Sequence, residues 1–386
     1  MADAGLQQLL RNAVDALPEG ELERKLALGR PLRVKLGVDP TTPDIHLGHT
    51  VVLRKLRDFQ DAGHRVVLII GDYTARVGDP SGRSKARPFV SGEEIDANAR
   101  TYTEQAMRVL LDDPDLLEVR HNSEWLDMPM EDLFRLVRTT TVAQVLERDD
   151  FARRWERRDP ITILETLYPL LQGFDSVAVL ADVEIGGTDQ KFNLLLGRDV
   201  QRAYGQPEQA ILTVPILVGT DGTEKMSKSL GNYVGVADPP DEIYGKTLSI
   251  PDEALEQWWS LLLGESPPAD LGPRDAKRAL ARALVDRFGG EGQGAAAEER
   301  FDRVFVRGEA PEEMAEHAFS GDPVHLPALV AEAFGVSRSE ARRLIAQHGV
   351  RVDDEVVSDG DVPADQLDGR VLRAGKRRFV RLRRAA

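Results

Sequence analysis

The strongest constraint on the fold is an uninterrupted apolar run, "HRVVLIIGD" (residues 64–72), early in the chain. Such a run is typical of a strand buried on both faces of a parallel sheet. Before it, apolar side chains recur at three- and four-residue spacings, as in an amphipathic helix (Val52, Leu53, Leu56 and Phe59). Before that helix, "LRVKLGVD" (residues 32–39) reads as another strand. Strand, helix and strand in this order predict a βαβ unit.

Three further strand candidates follow, separated by helical stretches: "LLEVRHNSEW", "VAVLADVEIGG" and "AILTVPILVG". The alternation predicts an α/β chain with a Rossmann-like, doubly wound parallel-sheet domain. Ligands bind such sheets at the carboxyl ends of the strands. Polar segments stand at those ends, "GVDPTTPDIHLGH", "GDYTARVGDPSGR" and "IGGTDQ", and we expect them to form the ligand site.

The rest of the chain has different patterns. The N-terminal 26 residues have helical periodicity, and residues 239–321 are mainly helical. Within that region the Gly/Ala/Glu stretch "GGEGQGAAAEER" is predicted to be a mobile loop. From residue 324, two short helices and several short strands follow. We therefore predict a doubly wound domain (residues 1–232), a helical domain (233–321) and a small α+β domain (322–386).

Composition limits where the protein works and what it binds. Cysteine is absent, which excludes disulfides and thiolate metal sites and suits a cytoplasmic protein. Neither a signal peptide nor a bilayer-spanning stretch is present, so we expect no membrane association. The net charge of −15 argues against a nucleic-acid partner, but residues 336–386 carry 12 Lys and Arg against 8 Asp and Glu, a net of +4. A solvated basic tail and a local phosphate-binding patch both fit this distribution.

Two histidines, His46 and His49, bracket Gly48 at the start of the first predicted helix. As zinc ligands they would need further partners, and none stands nearby at metal-ligand spacing. As core histidines, two within four residues would be unusual. As phosphate donors they would stand where helix amides attract anions, with Gly48 leaving room for a nucleotide. The motif alone leaves these readings open.

A second motif, "EKMSKSLGN" (residues 224–232), follows about 180 residues later. Its lysines, Lys225 and Lys228, suit a flexible loop that swings two ammonium groups onto a triphosphate. A solvated Lys/Ser loop is the other reading. The position of the motif after a second set of βα signals favours the phosphate-binding reading.

A third group of polar residues, Tyr168, Gln172 and Asp175, has the spacing i, i+4 and i+7. On a helix these side chains project along one face, which suits a polar amino-acid pocket better than a core. Pro169 stands among them, so the helix either begins near Glu165, with the proline in its first turn, or is kinked.

Taken together, HLGH and KMSKS resemble the signature pair of the class I aminoacyl-tRNA synthetases. The neighbouring blocks resemble those of the bacterial tyrosyl-tRNA synthetases over essentially the whole chain: "GVDPT" (residues 37–41), "GDPSG" (78–82), the Tyr168–Gln172–Asp175 group and "GGTDQ" (186–190). The C-terminal unit resembles the S4 RNA-binding module. The resemblance implies a catalytic domain at residues 1–232 and an S4-like domain at residues 322–386.

The resemblance also implies an activity and its partners. The enzyme would activate L-tyrosine with ATP, which brings Mg²⁺ with it, and transfer the tyrosyl group to tRNA(Tyr) bound through the S4-like domain. No tightly held metal site is expected. A homodimer is expected.

The resemblance implies three overlapping sets of site residues. The tyrosine-binding set is Lys35, Asp39, Asp79, Tyr168, Gln172, Asp175 and Gln190. The ATP-binding set is Asp39, Thr41, His46, Gly48, His49, Gly187, Asp189, Met226 and Lys228. The catalytic set is Thr41, His46, His49, Arg83, Arg87, Lys225 and Lys228.

Within the tyrosine-binding set, the resemblance gives different roles to different residues. Tyr168, Gln172 and Asp79 would receive the substrate's ammonium group. Asp175 would accept a hydrogen bond from the phenol, and Gln190 would contact the carboxylate side. At the nucleotide end, Asp189 would hold the ribose.

Two departures from the family pattern affect these expectations. Many relatives have Tyr at the position of Lys35, as a second contact to the substrate hydroxyl, so phenol recognition here should depend more on Asp175. The loop "GRSKAR" offers Arg83, Lys85 and Arg87 where relatives often carry lysine first. Its positive charge is kept, although Arg and Lys are not equivalent.

Three other functions remain open at this point. A tryptophanyl-tRNA synthetase shares both signatures, although an indole pocket has less use for Asp175. A pantothenate-synthetase-like ligase also has the histidine motif, but the KMSKS motif and the S4-like module argue against it. A non-enzymatic S4-type RNA-binding protein would use the tail alone.

Overall fold

The structure, a computed structural model, describes residues 2–41, 44–80, 91–311, 314–353, 355–358, 360–375 and 378–385. These fall into two compact units. The first comprises Met1–Pro239 and Lys246–Leu280, and the second comprises Pro240–Gly245 and Ala281–Ala386. The three-domain division remains a prediction.

Strands of the first unit are β1 (Asp15–Leu17), β2 (Arg33–Val38), β3 (Arg65–Ile70), β4 (Leu117–His121), β5 (Val183–Gly187) and β6 (Ala210–Val214). Strands of the second are β7 (Glu316–Phe319), β8 (Val324–His325), β9 (Val350–Val352), β10 (Glu355–Val356), β11 (Asp361–Val362), β12 (Val371–Ala374) and β13 (Arg378–Arg384).

Helices before the Tyr168 group are α1 (Ala2–Leu10), α2 (Glu21–Leu26), α3 (Leu47–Asp61), α4 (Thr74–Val77), α5 (Gly92–Ala106), α6 (Ser123–Leu126), α7 (Met130–Val137), α8 (Val142–Leu146) and α9 (Asp149–Arg157). From there on they are α10 (Ile163–Ala178), α11 (Lys191–Ala203), α12 (Pro240–Leu248), α13 (Leu255–Leu263), α14 (Pro273–Gly289), α15 (Gln293–Phe301), α16 (Leu326–Phe334) and α17 (Arg338–Ala346).

A six-stranded sheet in the order β1-β6-β5-β2-β3-β4 forms the centre of the first unit. Strands β2 to β6 are parallel, and β1 pairs antiparallel with β6. The chain proceeds from β2 outward to β4 and then returns to the other side of β2 for β5. This confirms the doubly wound prediction and puts the topological switch point between β2 and β5.

The apolar run is the buried strand β3, as predicted. Its residues Val66–Ile70 are all 0% exposed, and full burial of each such side chain contributes roughly 1.5–3 kcal/mol. The N-terminal segment is less regular than its helical periodicity indicated, because β1 lies between α1 and α2. A three-residue strand has no periodicity of its own, and only its pairing with β6 defines it.

Helix α10 begins earlier than Glu165. Thr162 is its N-cap, with a capping box in which Thr162 Oγ1 accepts a hydrogen bond from the main-chain N–H of Glu165 at 3.2 Å. Pro169 is therefore inside the helix rather than in its first turn. The proline leaves the carbonyl of Glu165 without its usual helical donor.

The stretch "GGEGQGAAAEER" was predicted to be a loop, and that prediction was wrong from Gln293 onward, where α15 begins. Gly290 and Gly292, with φ values of 104° and 82°, form the turn before the helix. The alanines that follow have the highest helix propensity. A Cβ on Gly294 would lie 2.5 Å from the main-chain oxygen of Arg282 on α14, so this glycine allows close helix packing.

The C-terminal part has the predicted two helices, α16 and α17, followed by short strands. Its five-stranded sheet has the order β10-β9-β12-β13-β7, and β13 runs parallel to β7. A buried apolar cluster lies beneath the helices, including Leu326, Val330, Ile345 and Leu382. In the described part of the chain, no helix has both the length and the apolar character needed to cross a membrane.

Candidate functional site

A cavity of about 300 Å³ opens at the carboxyl ends of β2 and β5, beside the switch point. Ten of the predicted site residues line it: Asp39, Thr41, His49, Asp79, Tyr168, Gln172, Asp175, Gly187, Asp189 and Gln190. The structure thus brings together segments from four separate parts of the sequence. The arginines Arg83 and Arg87, together with Gly82 and Lys85, lie outside the described residues.

Asp39 follows β2 and is held from two sides. Tyr168 donates its phenolic hydrogen bond to Asp39 Oδ2 at 2.9 Å, and Thr74 Oγ1 donates to Oδ1 at 2.7 Å. A Cβ on Gly71, at the end of β3, would lie 2.1 Å from Asp39 Oδ1. Any larger residue at position 71 would therefore collide with the carboxylate of Asp39.

Asp175 lines the cavity and is itself buried, with only 3% exposure. Trp125 Nε1 donates to its Oδ1 at 2.8 Å, and Asn122 Nδ2 lies 3.4 Å from its Oδ2. Burial raises the pKa of Asp175 to about 7, although the positive charge of Lys35 acts in the opposite direction. The carboxylate can accept a hydrogen bond from a phenol entering the cavity.

A chain of side-chain contacts joins Gln172 to Asp79. Asn193 Nδ2 donates to Gln172 Oε1 at 3.0 Å and to Gln190 Oε1 at 2.9 Å. Gln190 Nε2 in turn donates to Asp79 Oδ2 at 2.9 Å. Because Asn193 is fully buried, these amides are held in defined orientations around the cavity.

Arg148 supports the same group. Its guanidinium donates to Asn193 Oδ1 at 3.1 Å and to Asp79 Oδ1 at 3.3 Å, and it pairs with Asp150 at 2.7 Å. Sequence reasoning missed Arg148, because nothing distinguishes it from the other charged residues of "LERDDFARRWERR". Its contacts with Asn193 and Asp79 are what distinguish it, and these exist only in the folded chain.

Other supporting residues were missed as well: Thr74, Tyr102, Asn122, Trp125 and Asn193. The Tyr102 hydroxyl is buried, lines the cavity beside His49, and has no hydrogen-bond partner among the described residues. Asn122 and Trp125 fell inside the predicted strand "LLEVRHNSEW", but β4 ends at His121 and both residues follow it, so no signal in the sequence indicated their position.

Lys35 lies beneath the cavity rather than in its wall. Its side chain is 0% exposed and its ammonium group pairs with Glu184 at 2.8 Å. Lys35 is not among the residues that line the cavity, and its direct contact with a substrate remains a prediction.

The histidine pair lies at the entry of α3, with the two rings stacked at 3.8 Å between centroids. The main-chain N–H of His46 donates to His49 Nδ1 at 3.2 Å, so the proton of a neutral His49 ring is on Nε2. Burial, assisted by nearby lysines, lowers the pKa of His46 to about 2 and that of His49 to about 4. Both rings are therefore neutral hydrogen-bonding groups at neutral pH.

The KMSKS segment contacts the histidine motif and the cavity rim. Met226 Sδ accepts from the main-chain N–H of Gly48 at 3.3 Å. Lys228 Nζ lies 2.7 Å from Asp44, and Lys225 Nζ lies 3.4 Å from Asp189. A Cβ on Gly48 would lie 3.0 Å from the His46 ring, so the backbone there is already close to its neighbours. Within the described residues, no three His, Asp or Glu side chains are grouped as metal ligands.

Comparison with known proteins assigns this architecture. The family of tRNA synthetases class I (W and Y) matches residues 27–306, and the S4 domain matches residues 326–365. The chain belongs to the class I tRNA synthetases of this tryptophan and tyrosine group.

The relatives narrow the assignment. Tyrosine–tRNA ligases of Moorella thermoacetica and Thermotoga maritima are each 49% identical to this chain, over 98% and 97% of it and over 95% and 96% of their own lengths. Within the class I group, this chain is a member of the bacterial tyrosine–tRNA ligases.

Solved structures agree with the fold. The tyrosyl-tRNA synthetase of Archaeoglobus fulgidus, complexed with L-tyrosine, superposes with a TM-score of 0.64 at 24% identity, covering 77% of this chain and 99% of that one. A C-terminally truncated mitochondrial tyrosyl-tRNA synthetase of Aspergillus nidulans gives 0.64 at 22% identity, covering 79% and 94%.

Proposed function

We propose that this enzyme, a tyrosine–tRNA ligase, works through the site residues assembled at the switch point. The reaction is ATP-dependent: L-tyrosine and ATP form tyrosyl-adenylate and pyrophosphate, and the tyrosyl group then passes to the 3′ end of tRNA(Tyr). The observation that carries the residue assignment is the single cavity in which Asp175, Tyr168 and Gln172 meet His49 and Asp189.

At the tyrosine end, Asp175 accepts the hydrogen bond of the phenol. Tyr168, Gln172 and Asp79 hold the ammonium group, and Gln190 faces the carboxylate. Their support is geometric, because Asn193 and Arg148 hold Gln172, Gln190 and Asp79 in one hydrogen-bonded group.

At the nucleotide end, Asp189 holds the ATP ribose, and Gly187 allows close approach. A Cβ on Gly187 would lie 2.7 Å from Asp189 Oδ1, which supports that assignment. Mg²⁺ arrives with ATP as part of the substrate. The phosphates are contacted by two histidines, two lysines and two arginines: His46, His49, Lys225, Lys228, Arg83 and Arg87. Asp39, Thr41, Gly48 and Met226 complete the ATP-binding and catalytic sets.

Catalysis in this site comes from positioning and from electrostatic stabilisation. The tyrosine carboxylate is already an anion, so it attacks the α-phosphorus in line without a strong base. His46 and His49 donate neutral N–H hydrogen bonds to the phosphate oxygens as charge moves onto them. Lys225 and Lys228 neutralise the departing pyrophosphate.

The C-terminal S4 domain binds tRNA through its phosphates. Arg338, Arg342 and Arg378 are exposed, whereas Arg343 and Arg383 are paired with Glu340 and Glu316. Clustered arginines bind RNA chiefly through its backbone and do so in a salt-dependent way.

The enzyme acts as a cytoplasmic homodimer. Supporting the dimer, 7 of the 15 large apolar side chains exposed in the described chain lie between residues 130 and 164, among them Met130, Phe134, Trp155 and Ile163. Exposed apolar side chains that form a contiguous patch mark protein interfaces, and these seven lie within one 35-residue segment of the chain. Light scattering of the purified chain decides the oligomeric state.

Pyrophosphate exchange with each of the twenty amino acids tests the function. Exchange should depend on ATP and be fastest with tyrosine. Exchange driven by tryptophan, or none with any amino acid, would contradict the assignment.

A further inference from the structure

Lys35 and Glu184 form a buried ion pair at the switch point of the sheet. They face each other in the register of β2 and β5, and Lys35 Nζ lies 2.8 Å from Glu184 Oε1. Their side chains are 0% and 1% exposed. Because removing two charges from water is costly, an apolar pair of similar size would often stabilise the fold as well or better. Stability alone therefore does not explain the pair.

The ammonium group of Lys35 fastens α10 to the sheet. Besides Glu184, it donates to the main-chain oxygen of Gln172 and to Ser176 Oγ, both at 2.8 Å. An ammonium group has three protons, and these three acceptors use them. Gln172 and Ser176 lie one helical turn apart, on the helix that also carries Asp175.

The carboxylate of Glu184 contacts the same turn. Its Oε1 accepts from Gln172 Nε2 and its Oε2 accepts from Ser176 Oγ, each at 3.3 Å, and Gln209 Nε2 also donates to Oε2. A Cβ on Gly197 of α11 would lie 3.2 Å from Glu184 Oε2, so glycine there leaves room for the carboxylate. Both the main chain and the amide of Gln172 are thus held by the pair.

We propose that the Lys35–Glu184 pair is a positioning device for tyrosine recognition, which orients the Gln172 amide towards the substrate's ammonium group and places a positive charge beside Asp175. This inference rests on the tyrosine site proposed above. It gives Lys35 a role that needs no contact with the phenol: Glu184, Gln172 and Asp175 line the cavity, and Lys35 acts through them.

The charges around Asp175 make the role measurable. Burial raises the pKa of Asp175, Lys35 from β2 lowers it, and Glu184 from β5 raises it. Trp125 and Asn122, from the segment after β4, face Asp175 as neutral donors. Loss of the Lys35 charge therefore disfavours the ionised carboxylate, and loss of the Glu184 charge favours it.

The experiment compares Lys35→Met with Glu184→Gln in the full chain, by tyrosine-dependent pyrophosphate exchange over a range of pH. The KM for tyrosine should rise about fivefold in each variant, as loss of a hydrogen bond predicts, while the KM for ATP stays unchanged. The pH below which the KM for tyrosine rises should move upward in Lys35→Met and downward in Glu184→Gln.

A double variant guards against failure to fold. Each single substitution leaves a buried charge unpaired, whereas Lys35→Met/Glu184→Gln leaves none. The double variant should regain stability but keep the raised KM for tyrosine, because the ammonium group no longer holds Gln172 and Ser176. Lys55→Met is the matched control: it removes another buried ammonium group, paired with Asp58 on α3, and should lower stability without changing the KM for tyrosine.

The inference is overturned if the double variant has the parent's KM for tyrosine and the parent's Tyr/Phe ratio. It is equally overturned if the two single variants shift the pH dependence in the same direction. Asp175→Ala, which removes the acceptor altogether, distinguishes failure of this inference from failure of the site. If that variant leaves the Tyr/Phe ratio unchanged, the tyrosine site itself is wrong; if it responds while the pair variants do not, only the positioning role fails.

Discussion

At the scale of single residues, the proposed tyrosine site makes Asp175 responsible for the choice of amino acid. A carboxylate that accepts the phenol hydrogen bond would be left unpaired by phenylalanine, and buried unpaired groups are costly. Tyrosyl-tRNA synthetase is itself the reference case for discrimination of this kind. Here Lys35 is engaged below the cavity, which leaves Asp175 as the phenol acceptor on which the site depends.

Asp175→Ala should therefore lower tyrosine activation steeply and narrow the Tyr/Phe ratio. Pyrophosphate exchange with tyrosine and with phenylalanine measures both the activation rate and the Tyr/Phe ratio. An unchanged ratio would remove Asp175 from the phenol site.

The raised pKa of Asp175 also predicts how stability depends on pH. Between about pH 4 and pH 7 the folded state holds a proton on Asp175 that the unfolded state has lost, so this residue's contribution to stability falls as pH rises. The free energy of unfolding of Asp175→Asn, relative to the parent, should rise by up to about 1.4 kcal/mol per pH unit in that window. Urea titrations at several pH values measure the difference.

Asp182→Asn provides the control for that measurement. Asp182 is also buried, which by itself raises its pKa, but the hydrogen bonds from Arg30 and from the main-chain N–H of Arg33, together with the charges of Arg30 and Lys25, outweigh burial and lower the pKa. Its removal should cost stability at neutral pH, and that cost should disappear in acid. The same pH trend in both variants would contradict the raised pKa of Asp175.

The histidines give a second prediction at this scale. His46→Asn and His49→Asn should each remove about 3 kcal/mol of transition-state stabilisation, by analogy with the loss of one oxyanion donor. Because both rings are neutral above about pH 4, the rate of adenylate formation should show no histidine titration near pH 6.5. Single-turnover rates over that range test this. Stoichiometric zinc that disappears in both variants would support metal ligation instead.

At the scale of elements, the KMSKS segment is attached to the entry of α3 by a thioether contact and one ion pair, and to the segment after β5 by a second ion pair. Met226 contacts the Gly48 amide, and the two lysines pair with Asp44 and Asp189 at the rim of the cavity. These partly exposed ion pairs are individually weak, so ATP phosphates can replace the carboxylates as partners of the lysines.

Lys228→Ala should accordingly slow adenylate formation while leaving the Kd for tyrosine nearly unchanged. The ammonium group acts on charge that develops on the phosphates, and it does not touch the tyrosine end. Stopped-flow measurement of the single-turnover rate and equilibrium binding of tyrosine separate the two effects. Collapse of tyrosine binding with a normal rate would contradict the phosphate role.

At the scale of the whole molecule, the two steps of the reaction have different requirements. In the proposed mechanism, adenylate formation needs only the cavity, whereas tRNA charging also needs the S4 domain at residues 326–365. A change of charge in the C-terminal region should therefore affect tRNA charging without affecting adenylate formation in the first unit.

Reversal of three exposed arginines in the full chain, Arg338→Glu/Arg342→Glu/Arg378→Glu, tests that separation. Pyrophosphate exchange should stay near the parent value, because none of these residues lines the cavity. tRNA aminoacylation should weaken, and its salt dependence should flatten by about 0.7 to 0.9 in log–log slope for each phosphate that the domain no longer neutralises. Equal reduction of both activities would mean that these arginines serve the fold.

Features with a local pattern were predictable from the sequence of this protein. The buried strand β3, the amphipathic helix α3 and the spacing of Tyr168, Gln172 and Asp175 are each read within one stretch of chain. The two signature motifs were readable for the same reason. Parallel strands bring their carboxyl ends to one edge, so the position of the site followed from the fold class.

Only the tertiary structure determined what depends on pairing between distant parts of the chain. The sequence shows that residue 35 is a lysine, but not that it is buried against Glu184. That burial follows from the register between β2 and β5, two strands that are far apart in sequence. Arg148 likewise becomes a support of Asp79 only when α11 places Asn193 beside it. The close approach of Gly294 on α15 to Arg282 on α14 also depends on two helices meeting in space. Local periodicity cannot encode such contacts, because burial and charge pairing are set by which elements meet in space.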